Sequence, residues 1–196
     1  PHASEFVVSV EDVVEIPEGV EPRRAVLLPL VETAVNFLLD GAPRIGERVA
    51  VFGQGPVGLL TTSLLEECPL DSLVTFDLHE HRRSLSAEFG ADDSFDPTKR
   101  DPPGATRDVL EDDGPDGVDL VYELSGNPAA LDAAVDVAGY DGRVVLGSWY
   151  GTKPAELTLD GRFHRSRIDV VTSQVSTIAP ELWGRWDTDR RLGEAS

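Results

Sequence analysis

Three glycines occur at the spacing used by proteins that bind a phosphate with backbone amides. Gly53, Gly55 and Gly58 form the pattern Gly-x-Gly-x-x-Gly, directly after the apolar segment 49–52 and before a segment with helical spacing. The first glycine permits a tight turn, the second lets the backbone approach a pyrophosphate, and the third lets the helix pack close to the sheet. The amides at the helix start would then face the phosphates. The alternative is an ordinary glycine-rich turn, because this hexamer alone is weakly specific.

An acidic residue follows at the position expected for ribose recognition. Asp77 stands at the end of the second predicted strand, 19 residues after Gly58. A carboxylate there can bind both ribose hydroxyls of NAD, and its charge would repel the 2′-phosphate of NADP. Strand, glycines, helix, second strand and Asp77 together predict an NAD-binding unit. The chain lacks the motif Gly-x-x-x-x-Gly-Lys-[Ser/Thr], which argues against a P-loop ATPase. The first strand also lacks the terminal acidic residue that is usual in methyltransferases, which argues against that class.

Strand and helix patterns alternate along the chain, which predicts an α/β fold with a doubly wound parallel sheet of the Rossmann type. We predict strands at 48–52, 73–76, 94–95, 118–124, 143–146 and 168–173, and two earlier short strands at 6–10 and 13–16. We predict helices at 30–39, 56–67, 81–89, 128–138 and 180–191, with Gly41 ending the first of them. Residues 96–117 are rich in Asp, Pro and Gly, and are predicted to be mostly loop with one helical turn at 107–110.

The chain is strongly acidic, with a formal net charge of −19 over 196 residues, and its acidic residues are spread along the whole length. Lys99 and Lys153 are the only lysines. This composition predicts a salt-adapted, halophilic protein whose self-repulsion is relieved by screening; the alternative is an acidic surface that binds a partner. Repulsion between the acidic surface and phosphate argues against nucleic acid as a partner.

The apolar segments, the N-terminus and the cysteine content indicate the cellular compartment. No segment reaches the ~20 apolar residues of a membrane span, and the N-terminus lacks the pattern of a signal peptide. The single cysteine, Cys68, excludes an internal disulfide and is expected to be unreactive. These features favour a cytoplasmic protein without membrane attachment. The chain begins at Pro1 and contains no Met, so we interpret it as a fragment whose catalytic residues lie before Pro1.

Several segments resemble the medium-chain dehydrogenases, the superfamily of zinc-dependent alcohol, sorbitol and threonine dehydrogenases. The segment 45–58, Ile-Gly-Glu-Arg-Val-Ala-Val-Phe-Gly-Gln-Gly-Pro-Val-Gly, carries most of the resemblance. Residues 89–92 resemble the family's segment before its third strand. Residues 118–126 and 142–147 resemble its fourth and fifth strands. Residues 32–37, 148–151 and 173–176 resemble one branch of zinc-binding dehydrogenases, which includes bacteriochlorophyllide-type dehydrogenases.

The resemblance implies a domain organisation and an activity. Residues 1–29 would end a GroES-like catalytic β domain, residues 30–176 would form the Rossmann domain, and residues 177–196 would form a helix leading out of it. The intact protein would transfer a hydride between NAD and an alcohol or carbonyl substrate, as a homo-oligomer. The alternatives are a zinc-free reductase of the quinone oxidoreductase kind and a non-catalytic, redox-sensing NAD-binding module.

The resemblance also assigns residues to parts of bound NAD. The pyrophosphate would lie on the glycine loop and the helix start, at Gly53, Gly55, Pro56, Val57 and Gly58. The adenine ribose would bind Asp77 with Arg82 nearby, although Arg82 is equally well explained as a surface arginine. The adenosine side would be bordered by Leu124, Ser125 and Gly126. The nicotinamide would be approached by Leu146, Gly147, Ser148 and Thr33, of which Thr33 has the alternative of an ordinary helix-face residue.

One position departs from the zinc-dependent members. They carry a Cys or acidic ligand just before the first helix, where this chain reads Leu27-Leu28-Pro29-Leu30. Glu32 lies one helical turn further, and its better explanation is a carboxylate near a helix N-terminus. Zinc is therefore an open question for the longer protein, with no ligand identified here and the other family ligands and proton-relay residues expected before Pro1.

The remaining candidate residues have less specific signals. His79 and His81 share one loop and are either metal ligands or, more simply, exposed loop residues. His164 either faces the cleft or lies on the surface. Trp149 and Tyr150 follow the fifth strand at its carboxyl end, where ligands bind in such sheets, so they either shape a substrate pocket or pack on another domain.

Overall fold

The computed structural model describes residues 5–10, 13–16, 18–110 and 116–195. Its six strands are β1 Arg48–Phe52, β2 Ser72–Phe76, β3 Asp93–Phe95, β4 Val118–Glu123, β5 Ala138–Leu146 and β6 Asp169–Thr172. The α-helices are α1 Pro22–Ala25, α2 Leu28–Gly41, α3 Pro56–Glu66, α4 Glu80–Glu88, α5 Pro102–Val109, α6 Pro128–Val137 and α7 Thr188–Glu194. The strands form one parallel sheet in the order β3-β2-β1-β4-β5-β6. This order reverses between β1 and β4 and confirms the predicted doubly wound Rossmann fold.

The core lies on both faces of the central strands. Every residue of β1 is buried, as its unbroken apolar run requires in a sheet covered on both sides. Ala50 and Phe52 face one apolar cluster with α5 and α6, whereas Val49 and Val51 face a second cluster with α2 and α3. The glycine loop that follows β1 is therefore anchored on the most deeply buried strand of the sheet.

The first long helix ends differently from the prediction. Gly41 is the last residue of α2, and Ala42 adopts the left-handed conformation that terminates it, with φ +46°. Glycine is required at position 41 for close packing, because a Cβ there would lie 2.2 Å from the Tyr122 hydroxyl oxygen. Close approach to β4, and not a left-handed turn, therefore explains Gly41.

The segment 96–117, predicted to be mostly loop, contains the two-turn helix α5. Its signal is Asp101-Pro102-Pro103: Asp101 caps the helix by accepting from the Gly104 N–H at 3.1 Å, and Pro102 occupies the first helical position. Residues 111–115 of this segment lie outside the described residues. The helix thus starts five residues before the single turn predicted at 107–110, because proline, which breaks helix interiors, is favoured at the first helical position.

The predicted helix at 180–191 is also wrong. A short 3₁₀ turn at Pro180–Leu182 is separated from α7 by an irregular segment. Two side chains enforce the break: Trp183 Nε1 donates back to the Ile178 carbonyl at 2.8 Å, and Asp187 caps a new helix by accepting from the Arg190 N–H at 2.8 Å. An irregular helical turn at Leu159–Phe163 was likewise not predicted.

The two short strands predicted at 6–10 and 13–16 are absent. Residues 6–9 and 13–16 have no regular structure, and Val10 lies in a 3₁₀ turn. Phe6 is 65% exposed and Val7 fully exposed. Because no neighbouring strand among the described residues pairs with this segment, the alternating pattern has no partner to complete a sheet. None of the described helices is long and apolar enough to cross a membrane.

Candidate functional site

The residues that follow five of the strands lie side by side at the carboxyl edge of the sheet. Each continues the ladder by donating its backbone N–H to the neighbouring strand: Gly53 to Phe76 at 2.7 Å, Asp77 to Phe95 at 3.1 Å, Leu124 to Phe52 at 2.8 Å, Gly147 to Glu123 at 3.1 Å and Ser173 to Leu146 at 3.0 Å. In open α/β sheets, ligands bind outside this edge, at the point where the strand order reverses. The structure therefore brings Gly53, Asp77, Leu124 and Gly147 to one ligand-binding edge.

The glycine loop leaves an open surface above its middle residue. A Cβ on Gly55 would meet no heavy atom within 4 Å, and Gly55 has an ordinary φ of −71°. By contrast, Gly53 has φ +91°, and a Cβ there would lie 2.5 Å from the Ser125 Cα. A Cβ on Gly58 would lie 1.9 Å from the Gly53 carbonyl oxygen. Gly53 and Gly58 thus serve the turn and the packing, while Gly55 faces free space.

The first turn of α3 is available to an anion. No side chain caps this helix, whereas Asp101 and Asn127 cap α5 and α6. Pro56 is the first helical residue and has no N–H, and Val57 packs its side chain on the apolar cluster beneath α3. Backbone N–H groups at the helix start, together with the helix dipole, can therefore bind phosphate without a competing side chain.

Asp77 is held in position by two loops. Its Oδ2 accepts from the Gln54 N–H and its Oδ1 from the His79 N–H, both at 2.8 Å. The residue is only 7% exposed. A carboxylate has about four acceptor sites, so these two bonds leave capacity for two ribose hydroxyls. Asp77 is oriented before any ligand arrives.

The cleft beside Asp77 has a volume of about 230 Å³. Phe52 and Phe76 stack at 4.5 Å between ring centroids at its base. Arg82 lines the cleft and approaches Asp77 Oδ2 at 3.6 Å, with its side chain 45% exposed. Arg82 thus lies beside Asp77, the carboxylate that the resemblance assigns to the adenine ribose, and is also solvent-accessible. Other lining residues are Leu78, His79, Pro97, Leu124, Ser125, Asn127 and Ala130.

Gln54 is a site residue that the sequence analysis missed. Its side chain is fully buried beneath the glycine loop, where Oε1 accepts from the Thr62 hydroxyl of α3 at 3.0 Å. Its backbone N–H binds Asp77. One residue thus ties the glycine loop to α3 and to the end of β2. The variable position of a glycine motif gives no sequence signal for such a role.

The other half of the edge is closed by α2. A Cβ on Gly147 would lie 2.5 Å from the Phe37 ring and 2.6 Å from the Leu124 side chain. Thr33 lies one turn before Phe37 on the same helix, and its hydroxyl donates to the Pro29 carbonyl at 2.8 Å. Helix α2 therefore runs past the end of β5, with Thr33 on the turn next to Gly147.

The loops after β4 and β5 are joined by hydroxyl groups. Ser148 Oγ accepts from the Gly126 N–H at 2.8 Å and donates to the Glu123 carbonyl at 3.3 Å. The fully buried Glu123 carboxylate accepts from the Ser125 N–H at 2.9 Å and from the Tyr150 hydroxyl. Burial, followed by this hydrogen bond to Glu123, raises the pKa of Tyr150. Tyr150 thus fixes the loops at the site, whereas Trp149 is 91% exposed.

Glu32 does not lie in the first turn of its helix, contrary to the explanation favoured from sequence. Helix α2 begins at Leu28, so Glu32 is in its second turn. Its Oε1 instead accepts from Arg191 of α7, at 3.1 Å from Nε and 2.9 Å from Nη2. Because the helix starts two residues earlier than predicted, Glu32 lies too far along it to be explained by the helix dipole. Its ion pair with Arg191 explains the residue instead.

The described residues contain no cluster of three or more His, Cys, Asp and Glu side chains that could hold a metal ion. His79, His81 and His164 are exposed. Burial raises the pKa of the Cys68 thiol, and so keeps it in the less reactive protonated form.

Known proteins match the chain along most of its length. Residues 56–189 match the family described as zinc-binding dehydrogenase. The L-threonine 3-dehydrogenase of Pyrococcus furiosus is 29% identical over 186 residues, which are 95% of this chain and 51% of that protein. The chain thus spans about half the length of the curated relatives it matches.

Two solved structures illustrate the same similarity. The zinc-dependent alcohol dehydrogenase 2 from Streptococcus pneumonia, in its apo form, is 28% identical with a TM-score of 0.75, over 93% of this chain and 49% of that chain. An alcohol dehydrogenase (rspB) from E. coli CFT073, complexed with NADH, is 21% identical with a TM-score of 0.76, over 96% of this chain and 53% of that one. The second similarity shows the fold alone.

Proposed function

Because this chain belongs to the zinc-binding dehydrogenase family, we propose that it binds NAD and orients it for hydride transfer in a longer oxidoreductase. The observation that carries the proposal is the open surface at Gly55, which lies between an uncapped helix start and the preoriented carboxylate of Asp77. The substrate class is an alcohol or its carbonyl product, as the names of the relatives suggest. The cofactor supplies the hydride chemistry when bound, and the protein supplies orientation.

The residues of the chain divide into two groups along the sheet edge. Backbone amides after Gly55 bind the pyrophosphate, and Asp77 binds the adenine ribose with Arg82 beside it. At the other half, the nicotinamide faces Leu146, Gly147, Ser148 and Thr33. The Phe37 ring packs against Gly147 there, so closely that a Cβ on the glycine would lie 2.5 Å from it. Leu124 and Gly126 lie between the two halves, at the end of β4.

Binding is tested by calorimetric titration of the 196-residue chain with NADH, ADP-ribose and ATP. We expect NADH and ADP-ribose to bind, because both carry the pyrophosphate and the ribose that faces Asp77. Gly55→Ala serves as a graded variant, since its single methyl enters the space left for the pyrophosphate. Failure of the unaltered chain to bind either NADH or ADP-ribose would overturn the proposal.

We propose that residues 1–29 end a GroES-like domain, that 30–176 form the Rossmann domain and that 177–196 lead out of it. The apolar side chains described between Phe6 and Ile16 support this division, since they are 46–101% exposed and would be covered by a neighbouring domain. Expression of the longer protein with a preceding domain should bury Phe6 and Val7 from solvent, as footprinting would show.

We also propose a homo-oligomer in the cytoplasm of a salt-adapted cell. The outer strand β6 supports the assembly: Val170 and Val171 are 38% and 39% exposed on a free sheet edge, which favours pairing with another strand. The single Cys68 and the net charge of −19 support the location and the salt adaptation. Sedimentation of Val171→Lys against the parent tests the edge, and unchanged association would contradict it.

A further inference from the structure

We infer that Arg191 is a positioning residue that sets the nicotinamide end of the site from a helix that does not touch the cofactor. Its side chain fixes the backbone of residues 173–177, which we term the β6 loop because it follows the carboxyl end of β6. This inference rests on the proposed NAD binding, and deepens it by assigning a role to a residue outside the glycine loop and the ribose cleft.

Arg191 is a buried cation with a full set of partners. The residue is 2% exposed although it lies on α7, the last helix described. Its guanidinium donates to Glu32 Oε1 through Nε and Nη2, to Asn36 Oδ1 at 2.6 Å, to the Val175 carbonyl at 2.5 Å and to the Thr177 carbonyl at 3.1 Å. We call these five residues the arginine clamp. Burying a guanidinium is costly unless it is paired and hydrogen-bonded, and the clamp meets both conditions.

The shape of the guanidinium matters to this arrangement. Two carbonyls of one turn, those of Val175 and Thr177, point at the same planar group, while Glu32 neutralises its charge from α2. A lysine ammonium has the same charge but only three donors and no rigid fork, so it cannot hold all four partners at once. The clamp therefore fixes the conformation of the β6 loop as well as docking α7.

Asn36 carries the clamp to the sheet edge. Its Oδ1 accepts from Arg191, while its Nδ2 donates to the Ser173 hydroxyl and to Asp40 Oδ2, both at 2.9 Å. Ser173 donates its own N–H to the Leu146 carbonyl, directly before Gly147. A continuous hydrogen-bonded path thus joins Arg191 to the end of β5.

The position of the β6 loop decides which half of the cofactor it affects. Asp77 and Arg82 follow the carboxyl end of β2, which lies on the side of β3, so the adenosine occupies that half of the sheet edge. A dinucleotide crosses the edge where the strand order reverses, between β1 and β4, which places its other half over β4, β5 and β6. The clamp should therefore influence the nicotinamide and leave the adenosine unaffected.

The test compares NADH with ADP-ribose, which lacks the nicotinamide, for Arg191→Lys and for the control Arg190→Lys on the exposed face of α7. We expect Arg191→Lys to weaken the affinity for NADH about tenfold. Its affinity for ADP-ribose should stay within about twofold of that of the parent. Ser173→Ala cuts the same path by removing the hydroxyl that binds Asn36 and Asp40, and should weaken NADH binding selectively, though less than Arg191→Lys does. Hydrogen exchange of the unliganded β6 loop should become faster in Arg191→Lys and stay unchanged in Arg190→Lys.

The outcomes separate this inference from the proposed function. Equal weakening of both ligands, or unchanged NADH binding in both Arg191→Lys and Ser173→Ala, would overturn the clamp's role while leaving NAD binding established. If Arg191→Lys loses its cooperative melting transition, Ser173→Ala alone decides. A parent chain that binds neither ligand would instead overturn the proposed function, whereas the exchange measurement would still show whether Arg191 holds the loop.

Discussion

The backbone N–H of Gln54 donates to Oδ2 of Asp77 at 2.8 Å, so the loop that faces the pyrophosphate and the carboxylate that faces the ribose are one connected unit. The two positions are separated by 23 residues in the chain but share this bond because β1 and β2 are adjacent and in register. Changes at either residue should therefore affect both parts of the cofactor site.

Replacement of Asp77 by Ser should narrow the preference for NAD over NADP. Loss of the carboxylate removes repulsion of the 2′-phosphate, and Arg82, freed from its ion pair at 3.6 Å, can then face that phosphate. We expect NADH to weaken by about tenfold or more and NADPH to bind better than it does to the parent. Titration of both cofactors in matched salt measures this change.

Asp93→Ser is the matched control for that change, because it removes the same charge from an exposed position at the start of the outer strand β3. It should leave the ratio of the two affinities unchanged. Equal affinity of the unaltered chain for NADH and NADPH would contradict the assigned role of Asp77.

The glycine loop offers a pair of variants with opposite expected effects. Gly55→Val places its side chain in open space and should abolish most NADH binding, while costing at most about 1 kcal/mol of stability as a poorer helix N-cap. Gly58→Val pushes against the Gly53 carbonyl 1.9 Å from its Cβ and should lower stability by about 1–3 kcal/mol or more. Melting temperature and NADH affinity, measured for both variants, distinguish the two roles.

The two glycines also provide each other's control. If Gly55→Val binds NADH like the parent, the pyrophosphate does not lie on this loop and the functional assignment fails. If Gly58→Val melts like the parent, α3 is free to move away from the sheet and the close contact is not needed.

The residues that follow the central strands could be placed from the sequence better than the two ends of the chain. Gly53 and Asp77 could be placed because each follows a buried apolar strand, and parallel strands align their carboxyl ends. Arg191 could not be placed, because its partners Glu32 and Asn36 are 159 and 155 residues away and no local pattern connects them. Likewise, the strand pattern at 6–10 describes only how a segment would pair if a neighbouring strand were present.

Stability should increase with salt concentration. The chain carries a formal net charge of −19, and the Debye length falls from about 10 Å at 0.1 M to about 3 Å at 1 M, so screening relieves most repulsion within that range. Melting temperatures measured from low to molar potassium chloride should rise, with glycerol at equal osmolality as the uncharged control. A flat or falling curve would mean that the acidic surface is not a salt adaptation.

Asp40 should make the stability of the chain depend on pH. Burial raises the pKa of this carboxyl, and the nearby charge of Glu181 acts in the same direction, against hydrogen bonds from Ser173 and Asn36. The folded state therefore binds the proton of the Asp40 carboxyl more tightly than the unfolded state does. The protonated carboxyl contributes fully to stability below the ordinary carboxyl pKa of about 4, and this contribution is lost as the pH rises through the raised pKa.

Asp40→Asn should therefore melt about 2–4 °C above the parent at neutral pH, and the difference should disappear as the pH falls towards the ordinary value. The asparagine oxygen can still accept from Ser173 and Asn36, which both bind the same Asp40 oxygen. Asp71→Asn changes the net charge equally at an exposed position and is the control. A difference between Asp40→Asn and Asp71→Asn that persists at acidic pH would contradict this account.

The anion site proposed at the start of α3 is built from backbone amides, and this affects how fast a ligand should arrive. Among the described residues that line the cleft, Arg82 is the only arginine or lysine, and it already pairs with Asp77 at 3.6 Å. A dinucleotide approaching this protein therefore meets long-range repulsion, and attraction begins only within hydrogen-bonding distance of the helix start. Unlike sites that steer their ligands electrostatically, this one should show an association rate constant that increases with ionic strength, while the dissociation rate constant changes little.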